Sequence, residues 1–268
     1  MTHPQLKDVP ETMLWTLHNR ATEAARQDGI IKDDKAIEIY RAIDYDYEKS
    51  FGKAEPSHAI RSLIFDEGIR RFLARYPHAC IVNLGEGLET QRFRFKNDQA
   101  TWISVDLPEA IAIRERFIPA DERHLHVSVS ALDRAWFELV PKDQALFVTA
   151  QGLFMYLKKE EVKSLILDII NTFSKGGIMF DTIPIWLSKK TMSAEGWKKT
   201  TDYVTPPMPW GINRDQIPTI KQWSPKIQTI SEQPYRFPRG IIKWIYNTYL
   251  SIPILNRYAP CMVQLEFE

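Results

Sequence analysis

A short, mostly apolar strand, a Gly-x-Gly turn and a second strand closed by a carboxylate constrain this chain more than any other feature. The first run is Ala79 to Leu84, the turn is Gly85-Glu86-Gly87, and the second run is Trp102 to Asp106. Glycine has no Cβ, so Gly85 and Gly87 let the backbone turn sharply and come close to a bound molecule. Asp106 follows the turn by about twenty residues, the spacing at which a carboxylate on the second strand meets ribose hydroxyls. The unit therefore predicts a nucleoside-containing ligand at the carboxyl edge of a parallel sheet.

The surrounding pattern agrees with that edge. Short apolar runs at 80–84, 101–106, 124–129, 145–150 and 177–183 alternate with amphipathic segments at 88–95, 108–117, 132–138 and 161–173. The segment 161–173 keeps helical spacing through Val162, Leu165, Ile166, Ile169, Ile170 and Phe173. Strand–helix alternation of this kind predicts an α/β fold, a parallel sheet covered by helices on both faces. Two earlier helices, 12–27 and 57–76, form an N-terminal cover. The rhythm breaks after 184, where 185–225 holds several prolines and Trp186, Trp197, Trp210 and Trp223, read as an irregular lid. The alternating end, Met262 to Glu268, predicts a final antiparallel strand. The expected organisation is one domain over 1–268: an N-terminal helical cover (1–76), a ligand-binding core (77–184), a lid or acceptor-binding insertion (185–225) and C-terminal strands (226–268).

Bulk properties exclude several classes. The formal net charge of +1 gives no global field toward nucleic acid or an acidic membrane. Lys189-Lys190 and Lys198-Lys199 read as a solvated face. The N-terminal residues carry no apolar leader core and no run reaches the length of a membrane span, so a cytoplasmic setting is expected. The cysteines, Cys80 and Cys261, read as buried free thiols.

The turn itself separates ligand classes. A dinucleotide site wants a third glycine, and here that position is Thr90. Glu86 and Glu89 at the turn are expected to repel a pyrophosphate and to suit a cationic ligand. S-adenosylmethionine has a sulfonium, an amino group and a ribose, and no phosphate. A tight turn with no ligand is the alternative from spacing alone.

Five stretches in order resemble the leucine carboxyl methyltransferase and TcmP-like O-methyltransferase family. They are Thr16 to Ala21, Arg61 to Asp66, Asn83 to Thr90, Val105 to Glu109 and Gln151 to Leu157. The resemblance implies a class I, Rossmann-like methyltransferase with a seven-stranded, mostly parallel sheet and S-adenosylmethionine as cofactor. It implies that Arg61 pairs with the cofactor's methionine carboxylate, where a guanidinium fork fits. Read alone, Arg61 is a surface arginine. The family pattern puts Gly85 and Gly87 under the methionine and ribose, and Asp106 on the ribose hydroxyls. Asp106 also suits a helix cap before Pro108. Ser130 and Leu132 match the adenine contacts, and Asp133 either joins them or caps the next helix. Gln151 stands where the family carries a glutamate. Its amide oxygen still accepts a hydrogen bond but brings no charge, which implies weaker cofactor affinity by about 1–2 kcal/mol. Arg20 matches a basic residue that covers the cofactor, or is a solvated helix arginine.

Methyl transfer needs an aligned nucleophile and a dry pocket more than it needs a base. Tyr156 is the candidate catalytic side chain should a hydroxyl acceptor require deprotonation, and His58, His124 and His126 are alternatives by position. No metal-ligand spacing is present. The acceptor is expected to be a small aromatic or polyketide-like carboxylate or hydroxyl, bound by Trp186, Tyr203 and Trp210 of the lid. A protein C-terminal carboxylate, or a cofactor-binding descendant of weak activity, is the alternative. The expected partners are this small molecule and, at most, a second copy: a monomer or homodimer, without nucleic acid or membrane.

Overall fold

The computed structural model describes residues 9–95 and 99–268. Residues 1–8, read above as lacking an apolar leader, lie outside the described residues. A helical cover comes first: α1 (Thr12–Ala24), α2 (Asp34–Ala42), α3 (Tyr47–Phe51) and α4 (Ser57–Arg75). Asp33 caps α2 by accepting from the Ala36 N–H at 3.0 Å, and Asp46 caps α3 through Lys49.

The sheet follows as β1 (Cys80–Leu84), β2 (Thr101–Asp106), α5 (Pro108–Arg114), β3 (His124–Ser128), β4 (Leu146–Ala150), α6 (Lys159–Thr172) and β5 (Gly176–Thr182). The chain then runs through α7 (Ile185–Thr191), β6 (Ile227–Pro234), α8 (Gly240–Ser251), α9 (Pro253–Asn256) and β7 (Cys261–Phe267). Strand order is β3-β2-β1-β4-β5-β7-β6, and β7 alone runs against its neighbours. The order reverses between β1 and β4. That switch point is where a doubly wound sheet opens a crevice beyond its carboxyl ends.

Register sets what lines the crevice. Leu84 lies level with Val105 on one side and Ala150 on the other, so Gly85, Asp106 and Gln151 leave adjacent strands at one height. Alternation along the strands divides the core between two faces. Val82, Val148, Ile178 and Val263 pack with Leu165, Ile166, Ile169 and Ile170 of α6. Ile81, Phe147 and Met179 pack with Phe65, Ile69 and Phe72 of α4. Both cysteines are buried free thiols, each raised to about 12 by burial.

Two amphipathic segments differ from the sequence expectation. Residues 88–95 and 132–138 form only short 3-10 turns, Gln91–Arg94 and Ala135–Leu139. Gln91 and Arg94 are held by Asp66 of α4, which fixes the segment through side chains. The stretch 226–268 carries more than strands: α8 and α9 separate β6 from β7.

Candidate active site

A cavity of about 470 Å³ opens at the switch point, a size typical of small-molecule sites. Arg61, Gly85, Gly87, Asp106, Ser130, Gln151 and Tyr156 all line it. Gly85 and Gly87 have φ of +62° and +53°, the left-handed region that favours glycine. The protein itself also requires them: a Cβ would lie 3.0 Å from Leu153 at the first and 2.8 Å from Met13 at the second.

The turn is locked to β2 by Asp106. One carboxylate oxygen accepts from the Gly87 N–H at 2.7 Å and the other from the Leu107 N–H at 2.8 Å. Each oxygen keeps a second lone pair for a ligand hydroxyl. Burial raises the Asp106 carboxyl above its ordinary value, opposed by those two backbone bonds.

Glu86 and Glu89 act differently from the sequence expectation. Glu86 accepts from Asn83 at 2.9 Å and from Ser104, and pairs with buried Arg114 at 3.0 Å. Glu89 pairs with Arg20 at 3.1 Å and Arg94 at 2.9 Å, and accepts from Ser62 and Gln151. Burial alone would raise the Glu89 carboxyl, but Arg20 and Arg94 hold it well below the usual carboxylate range. Their charges are therefore spent inside the protein, and the turn does not present two free anions. Arg20, read as solvated or as a cover for the cofactor, is instead 1% exposed and bound to Asp33, Glu89 and the Leu88 carbonyl.

Four cavity-lining residues carry a buried polar atom with no protein partner among the described residues: Trp15 Nε1, Arg61 Nε, Gln151 Oε1 and Tyr246 Oη. Arg61 and Gln151 stand beside the Gly85–Gly87 turn and the β4 end. Arg61 is fixed by Asp181, whose Oδ2 lies 3.0 Å from Nη1. Gln151 is fixed by its amide nitrogen, which donates to Glu89 at 2.9 Å and Ser62 at 3.2 Å. A free guanidinium donor and a free amide acceptor match the carboxylate and ammonium of an amino-acid end. With Asp106 for a ribose, the residues fit S-adenosylmethionine.

The other wall is aromatic and apolar: Trp15, Trp197, Met208, Met155 and Leu187, with His58 between. Asn19 orients His58. The Glu55 N–H donates to Asn19 Oδ1 at 3.2 Å, so the amide nitrogen faces His58 Nδ1 at 2.9 Å and leaves the ring proton on Nε2. Burial and the nearby Arg61 and Arg20 charges keep His58 neutral, well below its ordinary pKa.

Several predicted contacts lie elsewhere. Trp186 is 55% exposed, Tyr203 packs on Trp15 and Phe51, and Trp210 packs on Phe154 and Phe180; none lines the cavity. Leu132 packs into the sheet core, whereas Ala131 lines the wall. Asp133 accepts from the Ala135 N–H two residues on and does not line the cavity. His124 and His126 sit on β3 away from the cavity, and burial lowers His124 to about 2. Of the three histidines named by position only His58 lines the cavity, and Trp15, not named from the sequence, could have been found from the helical spacing of α1.

Known proteins carry the same pattern. A family model described as leucine carboxyl methyltransferase matches residues 13–170. The chain belongs to that family. It is similar to the tetracenomycin polyketide synthesis O-methyltransferase TcmP of Streptomyces glaucescens, 28% identical over 275 residues and 98% of each chain. It also resembles the S-adenosyl-L-methionine-dependent methyltransferase dpfgK of Gibberella zeae, 28% identical over 191 residues, 65% of this chain and 64% of that one. Among solved structures, the CurJ carbon methyltransferase matches with a TM-score of 0.53 at 9% identity, covering 96% of this chain and 67% of that one. The small RNA methyltransferase HEN1 matches with a TM-score of 0.52 at 10% identity, over 77% of this chain and 25% of that one. The fold is thus the α/β, Rossmann-like class I methyltransferase fold, and the protein is an S-adenosylmethionine-dependent methyltransferase.

Proposed function

We propose that the protein is an O-methyltransferase acting on a small aromatic, polyketide-like molecule, with a carboxylate as the methylated group. The reading rests chiefly on one observation: among the described residues of the aromatic wall, neither Tyr156 nor His58 is poised as a base near neutral pH, and Glu55 beside them is paired with Lys199 at 3.1 Å. Burial raises Tyr156 to about 12, so its phenol stays protonated and can only donate or accept a hydrogen bond. His58 is neutral, but its Nδ1 lone pair is taken by Asn19 and its Nε2 carries the proton. A hydroxyl acceptor must lose its proton, whereas a carboxylate is already ionised and needs no base.

The bound cofactor supplies an electrophilic methyl group on a sulfonium. Arg61 and Gln151 would hold its amino-acid end, Gly85 and Gly87 its central part, Asp106 its ribose, and Ser130 with Ala131 its adenine. Trp15, Trp197 and Met208 exclude water and flank a flat acceptor, and the rate gain comes from orientation in that dry space. The TcmP resemblance over nearly the whole chain supports a polyketide-like acceptor.

The test is incubation with methyl-labelled S-adenosylmethionine and a panel of aromatic acids, phenols and short peptides. The expected product is a labelled aromatic acid whose label mild alkali releases as methanol, the behaviour of an ester. Alkali-stable label on phenols alone would contradict the carboxylate assignment. Label confined to a peptide C-terminus would move the acceptor to protein.

A further inference from the structure

We infer that the α8–α9 segment docks on an anionic lipid surface. Helix α8 has two apolar stripes. Tyr246, Tyr249 and Leu250 are partly covered, and Phe237 and Tyr246, with ring centroids 5.1 Å apart, line the cavity. The opposite stripe follows the spacing of one helix face: Ile241, Trp244 and Ile245 are 77%, 74% and 62% exposed. Ile254 of α9 is 70% exposed, and Trp186 joins it through a bond from its indole N–H to the Tyr258 carbonyl at 3.5 Å. A surface helix of a soluble domain turns its polar side outward. Here the outward side is the apolar one, and no residue of α8 is buried.

Charge selects the occupant. Residues 235–260 hold Arg236, Arg239, Lys243 and Arg257 and no aspartate or glutamate. Arg239 is tied to Glu23 and Asp28, and the other three are exposed. Two copies packed through this face about a two-fold axis would set the same cations against one another. Anionic headgroups complement them, while isoleucine and tryptophan enter the boundary with the acyl chains, the arrangement of helices that lie in a membrane interface. No described helix is long and apolar enough to cross a membrane, which leaves a helix lying along one untouched. Lipid docking of this face would go beyond the sequence expectation of no membrane partner. Because Tyr246 of the same helix lines the cavity, docking would bring the lipid close to the cavity. That consequence rests on the proposed apolar acceptor, but the docking itself does not.

Vesicle sedimentation tests it without any turnover. The full chain is expected to sediment with phosphatidylcholine vesicles containing phosphatidylglycerol, more weakly with phosphatidylcholine alone, and less as salt rises. The double variant Ile241→Glu, Trp244→Glu should lose binding by roughly tenfold or more. Lys243→Glu should lose several-fold. All three substituted side chains are exposed, so S-adenosylmethionine affinity and melting temperature serve as the folding control. Failure of the wild type to sediment with either vesicle, or equal sedimentation by the double variant, overturns the proposal. So does a wild-type dimer that the double variant dissolves, which would assign the face to a second copy.

Discussion

The two walls of the cavity are built by different means. The cofactor wall is polar and made from strand ends in register, with every charged group tied to a partner. The Gly85–Gly87 turn is fixed by Asp106, Glu89 by Arg20 and Arg94, and Arg61 by Asp181. The acceptor wall is aromatic and made from side chains far apart in sequence, Trp15, His58, Trp197 and Met208, held by packing. Methyl transfer asks for this division. On the proposed assignment, one wall would bind a constant molecule with directional bonds, and the other could vary with the acceptor without disturbing the first.

The division can be broken by substitutions on either side. Arg20→Ala removes one of two arginines from buried Asp33 and Glu89, and should cost about 3 kcal/mol of stability, read as a lower urea midpoint. A change under about 0.5 kcal/mol would show the arginine to be solvated after all. Trp197→Ala should raise the acceptor KM roughly tenfold while leaving S-adenosylmethionine affinity unchanged, since an aromatic anchor carries about 1–2 kcal/mol. Equal losses for both ligands would dissolve the division.

Gln151→Glu sharpens it further. The amide nitrogen now donates to Glu89, so the variant sets a second carboxylate oxygen against that group. It should lose about 1 kcal/mol of stability at neutral pH. Repulsion raises the folded pKa of the new carboxyl, so the loss is full above that pKa and shrinks as pH falls and the group takes up a proton. A variant as stable as the wild type at neutral pH, or more so, would show that the amide bond to Glu89 is absent.

The strand–turn–strand unit was legible because local rules suffice: glycine at positive φ, alternation with period two, and a carboxylate at a fixed distance along the chain. The parallel sheet, the antiparallel last strand and most strand limits followed from the same periodicity. The charges of the turn were not legible. Glu86 and Glu89 look free in sequence because Arg114, Arg20 and Arg94 reach them only through the fold. The acceptor side failed for a related reason. Tryptophans in 185–225 look alike as letters, yet Trp210 fills the core, Trp186 faces outward and Trp197 lines the cavity. Helix α8 was missed because its apolar residues surround the helix and give no single stripe to read.

Calorimetry with S-adenosylmethionine on the wild type and on Asp106→Ala tests the cofactor wall most directly. Asp106 holds the Gly87 and Leu107 N–H groups and offers its remaining lone pairs to the cavity. We expect one site on the wild type and an affinity loss of about 3 kcal/mol, roughly a hundredfold, in the variant, with the acceptor wall intact. Undiminished binding by Asp106→Ala would contradict the placement of the cofactor on this wall.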